Sequence, residues 1–127
     1  MTASATHLVL LPSYNPGPCL HGVITAVLSC WQPVLVVVDG STDGSAVALE
    51  ARAQREAGLH VLVLPRNRGK GAAVLAGAGW ARTRGFTHAL TMDSDGQHVP
   101  EYIPRFMAVS RANPGALVLG RPEFPPN

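Results

Sequence analysis

The sequence predicts a single α/β domain, a mostly parallel sheet of about five strands with helices on both faces. Three observations predict it. Apolar runs of strand length alternate along the 127 residues with longer segments of helical period. One of the runs, "PVLVVV" (33–38), is apolar at every position, as a central strand covered on both faces has to be. Each run also ends in a turn rich in Gly, Pro, Asn or Asp before the next helical segment, the punctuation of β-α units.

Taken in order, "HLVLLPS" (His7 to Ser13) reads as a strand that ends in the turn "PSYNPGP". From Cys19 to Trp31, apolar residues at Leu20, Val23, Ile24, Val27 and Leu28 follow the i, i+3, i+4, i+7, i+8 spacing of a one-faced helix. "PVLVVV" follows as a strand, and Ser45 to Ala57 as a helix with Gly58 as its stop. "LHVLVLP" (Leu59 to Pro65) is a third strand, and the turn "RNRGKG" leads into a helix from about Ala72 to Arg84, closed by Gly85. "THALTMD" is a fourth strand. Val99 to Ala112 reads as a helix broken early by Pro100 and Pro104, and "GALVLG" (115–120) as a fifth strand. Parallel strands with right-handed crossovers would place helices on both faces, and ligands of such sheets gather outside the carboxyl ends of the strands.

Composition narrows the function. Charged residues make up 14%, and ten basic against eight acidic residues leave a formal charge of +2 with no long basic run, so nucleic acid is not an expected partner. Uncharged apolar runs such as 33–38 fall far short of a membrane span. The N-terminus lacks the basic start and long apolar segment of a secretory signal. Cys19 and Cys30, in no CxxC pattern, read as free thiols of a cytoplasmic protein.

All four aspartates sit at the ends of apolar runs: Asp39 and Asp43 in "VVVDGSTDGS", Asp93 and Asp95 in "LTMDSDGQHVP". The first stretch has a plain reading as a strand-to-helix turn with Asp43 or Ser45 capping the helix. It also matches a calcium loop in part, but that motif needs a helix leading in, and "PVLVVV" is a poor one. In the second stretch, carboxylates at i and i+2 can converge on one divalent cation. Gln97 adds a neutral oxygen, and such hard donors suit Mg²⁺ or Mn²⁺ better than zinc. The competing reading is an acidic turn opening the next helix, and His98 reads as polar surface rather than a ligand. "RNRGKGAAV" offers backbone N–H groups with Lys70 and Arg66 or Arg68 near a helix start, which suits phosphate. It is not a P-loop, because Leu64 stands where the first glycine would be and Gly71 follows the lysine.

In succession, "LLPSYNPG", "VVVDGSTDGS", "RNRGKGAAV", "ALTMDSDGQHVPEYI" and "LGRPEF" resemble the nucleotide-sugar-binding half of a family-2 glycosyltransferase with the GT-A fold, a Rossmann-like arrangement. The likeness runs from about His7 to Arg121 and is nearest the dolichyl- or polyprenyl-phosphate mannosyl- and glucosyltransferase branch. It implies a nucleotide contact from Pro12, Tyr14 and Asn15, although Pro16 stands where the family has glutamate. It implies that Asp39 bonds the nucleotide base with Val37 lining the base pocket, although Val38 replaces the family's first aspartate. Asp93, Ser94 and Asp95 match the Asp-x-Asp turn, so that Asp95 and Gln97 would hold Mg²⁺ or Mn²⁺ on the diphosphate while Asp93 reaches the ribose or the same cation. Arg121 would approach the phosphates, and Lys70 matches a Gly-Lys-Gly turn near the donor.

The reaction implied is inverting transfer of a sugar from a nucleoside diphosphate sugar, catalysed at Asp93 and Asp95. A lipid-phosphate acceptor would place the protein at a membrane surface as a peripheral partner. The resemblance also implies an acceptor-binding portion beyond the fifth strand, so residues 1–127 read as the donor part, with self-association or a partner chain supplying the rest. A nucleotidyltransferase is a rival, weakened because "PSYNPGP" carries no basic residue. A non-catalytic nucleotide-binding or interaction module is the rival from a different class.

Overall fold

The computed structural model describes residues 2–93 and 100–115. Its order is β1 (His7–Ser13), α1 (Cys19–Leu28), β2 (Val34–Asp39), α2 (Ser45–Arg55), β3 (Leu59–Leu64), α3 (Lys70–Thr83), β4 (His88–Thr91), a 3₁₀ turn at Pro100–Tyr102 and α4 (Ile103–Ala112). The expected fifth strand, apart from Gly115, lies outside the described residues. The four strands form one parallel sheet in the order β3-β2-β1-β4.

Alternation along β1 and β2 divides the core in two. Val9 and Leu11 of β1 and Val34, Val36 and Val38 of β2 meet Leu20, Ile24 and Val27 of α1, Leu49 of α2, and Ile103 and Met107 of α4. Leu8, Leu10, Leu35 and Val37 turn the other way, to Ala73 and Ala81 of α3. Every residue of β1 and β2 is buried, which is why neither strand shows a polar face in the sequence.

Handedness explains the split. β1→β2→β3 steps outward in one direction, so its right-handed crossovers carry α1 and α2 on one face. From β3 the chain returns past β2 and β1 to reach β4, and the same rule puts α3 on the opposite face. The helix must lie close to the strands it crosses. Gly77 provides that approach: a Cβ there would sit 2.5 Å from Leu10 Cδ1 and 2.9 Å from Val37 Cγ2.

On the α1 face, Arg52 ties two helices together. Its guanidinium pairs with Glu56, the residue that follows α2, and donates to the His21 carbonyl at 2.9 Å and the Thr25 hydroxyl at 2.8 Å. At the amino end of the sheet, His7 and its register partner His88 stack with ring centroids 4.4 Å apart and planes 3° from parallel. His7 shares hydrogen bonds with Thr6 Oγ1 at 2.8 Å and Ser110 Oγ at 3.1 Å, while the Trp31 indole donates to the His7 carbonyl at 3.0 Å.

Two outcomes follow from this packing. Gly77→Ala would gain about 1 kcal/mol of helix propensity, but overpacking a filled core costs about 1–3 kcal/mol. A net loss of about 1 kcal/mol is expected in urea unfolding; a stabilised variant would mean that α3 lifts off the sheet freely. The second outcome concerns pH. Burial first, then His88 and Arg111, holds the His7 imidazole below its ordinary range. The unfolded chain therefore takes up this proton before the folded one does, so stability falls as pH drops below about 6.5 and levels off below the folded pKa. Burial and Arg84 lower His60 in the same sense. Unfolding titrations of His7→Gln should show a shallower slope with the His60 part remaining; an unchanged slope would clear His7 of any role.

Candidate functional site

The strand order reverses beside β1, with α1 and α2 on one face and the returning α3 on the other, and a crevice opens at the carboxyl end of the sheet. A cleft of about 320 Å³ opens there, lined by Pro12, Ser13 and Tyr14 from β1 and its turn, Asp39 from β2, Asn67, Gly69, Lys70 and Ala73 from the third turn and α3, and Asp93 after β4.

Three turns form its rim, and side chains latch them to one another. Asn15 adopts a left-handed backbone, φ 43°, that few residues other than glycine and asparagine accept. Its Oδ1 accepts the Thr42 N–H at 2.7 Å, its Nδ2 donates to Thr42 Oγ1 at 3.3 Å, and its own N–H donates to Ser41 Oγ at 2.9 Å. Asp43 returns the connection by accepting the Gly17 N–H at 3.1 Å while also accepting the Ser45 N–H at the start of α2. Hydrogen bonding to Ser45 foremost holds the Asp43 carboxyl below the usual carboxylate range.

The next latch is Asp39. Only 3% exposed, it accepts the Arg68 N–H through Oδ1 and the Gly69 N–H through Oδ2, each at 3.0 Å. Beside it, Gly40 has φ 68°, and a Cβ there would come within 2.2 Å of the Asn67 nitrogen and 2.3 Å of the Arg66 carbonyl carbon. Glycine is therefore required twice over, by conformation and by space.

Across the mouth of the cleft, Lys70, the first residue of α3, places its ammonium on Asp93 Oδ1. The Lys70 side chain is 63% exposed and that of Asp93 35%.

Of the residues expected from the sequence, Pro12, Tyr14, Asp39, Lys70 and Asp93 do line one cleft. Asn15 stands at its rim with its side chain engaged by the second turn. Val37 is wholly buried against Gly77 under α3 and does not line the cleft; only its carbonyl turns that way, accepting from Ser13 Oγ at 3.4 Å. Ser94, Asp95, Gln97, His98 and Arg121 lie outside the described residues. The calcium-loop pattern does not form a loop of ligands: β2 leads into it, and Asp39 and Asp43 face different partners. Sequence reasoning missed Ser13, Asn67, Gly69 and Ala73 as lining residues, and nothing in the sequence announced the Lys70–Asp93 pair, 23 positions apart.

Among the described residues no three His, Cys, Asp or Glu side chains converge as a ready-made metal site. Asp39 is 3% exposed and accepts two backbone N–H groups, which leaves Asp93 as the more accessible carboxylate of the cleft among those residues. One or two carboxylates completed by phosphate oxygens and water is how Mg²⁺ is commonly held, so the donor chemistry fits such an ion.

The family model of glycosyl transferase family 2 matches residues 8–126, nearly the whole chain. The chain belongs to that family. An undecaprenyl-phosphate mannosyltransferase of Micrococcus luteus is 33% identical over 120 residues, covering 93% of this chain and 49% of the relative. A polyprenol monophosphomannose synthase of Mycolicibacterium smegmatis is 39% identical over 103 residues, covering 79% of this chain and 39% of the relative. An undecaprenyl-phosphate 4-deoxy-4-formamido-L-arabinose transferase of Salmonella choleraesuis is 34% identical over 126 residues, covering 88% and 35%. The chain thus spans half or less of the length of these relatives. No helix among the described residues is long and apolar enough to cross a membrane. The parallel sheet with helices on both faces and the placement in the polyprenyl-phosphate branch agree with what the motifs implied.

The Asp39 latch carries a measurable share of stability. Hydrogen bonds to a charged acceptor contribute about 1.5–3 kcal/mol each; with two partly buried donors left over, Asp39→Ala should lose roughly 2 kcal/mol in urea unfolding. A loss under about 0.5 kcal/mol, within the range of neutral surface changes, would show that the third turn keeps its shape unaided.

Proposed function

We propose that the cleft binds the nucleoside diphosphate part of a nucleoside diphosphate sugar, and that the whole protein transfers the sugar to a polyprenyl phosphate. The observation that carries this reading is the cleft at the switch point, with three latched turns on its rim and an accessible carboxylate beside a lysine at its mouth. Family membership and the acceptors printed in the relatives' names support it.

In this reading Tyr14, half exposed at the cleft wall, offers a flat face to the base. Asp39 keeps acceptor capacity beyond its two backbone donors and meets an N–H of the base. Asp93, with Asp95 and Gln97 of the same stretch of sequence, would hold Mg²⁺ or Mn²⁺, and the ion would supply positive charge against that growing on the leaving diphosphate. Transfer is a direct displacement. An acceptor phosphate oxygen forms the new bond to the anomeric carbon, the bond from that carbon to the donor's phosphate oxygen breaks, and its electron pair leaves with the nucleoside diphosphate. The acceptor is already anionic, so the chain need not supply a strong general base. A lipid-borne acceptor brings the protein to a membrane surface as a peripheral partner.

Calorimetric titration with UDP, GDP, CDP and dTDP, each with Mn²⁺ and with chelator, should show one nucleotide preferred and its binding dependent on cation. Asp95→Ala should remove the cation dependence while leaving the fold intact. Heat from none of the four nucleotides would refute donor binding and leave an interaction module.

A further inference from the structure

We infer that Lys70 is a positioning residue with two exclusive partners: Asp93 while the cleft is empty, and the nucleotide diphosphate once a divalent cation has taken Asp93. This rests on the nucleotide reading above and adds to it a coupling between metal and nucleotide.

Four observations carry it. The Lys70 ammonium and the Asp93 carboxylate meet across the mouth of the cleft, and both line it. Asp93 offers hard oxygens, and an ammonium bonded to Oδ1 blocks a divalent cation from that atom by contact and by charge. Lys70 is free to change partner. It is 63% exposed, and its neighbours Gly69 and Gly71 carry no side chain that could hold the stem. A lysine ammonium is a point charge on a flexible stem, suited to exchanging one anion for another where an arginine fork would prefer one geometry. Finally, the other cleft carboxylate cannot receive a displaced Lys70 on equal terms, because both Asp39 oxygens are bonded to the Arg68 and Gly69 N–H groups.

The thermodynamic consequence has opposite signs for the two ligands. Bare cation must displace the ammonium and leave it unpaired. Cation arriving with a diphosphate displaces it onto new anionic oxygens. Lys70 therefore weakens binding of metal alone and strengthens binding of the metal-nucleotide pair, so each ligand raises the other's affinity by the same factor.

The test uses the full chain with Lys70→Met, which keeps an apolar stem of similar length, and Lys70→Arg, which keeps the charge. Mn²⁺ affinity without nucleotide is read by electron paramagnetic resonance of the free ion. Affinity for UDP, GDP, CDP and dTDP in saturating Mn²⁺ is read by calorimetry. Lys70→Met should bind Mn²⁺ alone about two- to fivefold tighter, the span of an exposed ion pair. It should bind the preferred nucleotide with Mn²⁺ about tenfold more weakly, as loss of a charge-assisted contact would give. Lys70→Arg should recover most of the nucleotide affinity. If both affinities of Lys70→Met stay at the wild-type values, or both fall together, Lys70 is not an exchanging partner and only this inference fails. If wild-type chain with Mn²⁺ binds none of the four nucleotides, this inference and the donor-binding reading fail together.

Discussion

Right-handed crossover is the constraint on which the site depends. Two β-α units wind outward from β1 in one direction, and the third must return across β2 and β1 to start β4 on the other side. Because the hand of the connection cannot change, the returning helix is forced to the opposite face. The cleft at the carboxyl end of the strands then opens beside the start of that returning helix, where Gly69, Lys70 and Ala73 line it. Gly77 matters for the same reason. A helix that crosses two buried strands has to lie close against them, and the missing side chain lets Leu10 and Val37 fill the space beneath.

Holding the crevice in shape is a separate task, and polar side chains perform it. Asn15 and Asp43 join the first turn to the second, and Asp39 joins the second to the third, so that every latch bonds the backbone of another segment. The close approach of Gly40 to the Arg66–Asn67 backbone completes the contact from the apolar side. A turn rich in glycine has high conformational entropy when unrestrained. Charge-assisted bonds from buried or fixed acceptors are the interactions strong enough to offset it.

These relations bound what could be read in the sequence. β1 coincides with its expected span, and β2 was evident because a strand buried on both faces must be continuously apolar. Boundaries moved where a local feature outweighed periodicity. α1 stops at Leu28 rather than Trp31, since the Trp31 indole is drawn to the His7 carbonyl of β1. α3 starts at Lys70, two residues early, because Gly69 at φ 96° completes the turn ahead of it. Pro100 and Pro104 give a 3₁₀ turn before α4, as two prolines near a helix start allow. The turns that build the site were legible as places, because aspartates and glycines gather at the strand ends. The direction of each side chain was not legible. Val37 shares the α3 face with Leu35, and what keeps it from the cleft is its complete burial there, a depth that alternation does not give. No periodicity could show that Asn15, Asp39 and Asp43 place their polar atoms on neighbouring turns, since those contacts span 26 to 30 positions of chain.

The distribution of strengths around the cleft has a functional logic. Its floor is apolar and close-packed, and its three turns are joined by hydrogen bonds to carboxylate and amide oxygens. Among the described residues the mouth carries the Lys70–Asp93 ion pair between partly exposed partners, a contact in the class that contributes up to about 1 kcal/mol. A ligand entering such a cleft meets fixed walls and one weak bar. The ordering entropy of the turns has been met on folding, so little of the binding free energy goes into arranging them. A site that grips a charged ligand and later lets it go is better served by that arrangement than by a strong ion pair at the entrance, because each kilocalorie stored in the pair would be subtracted from binding.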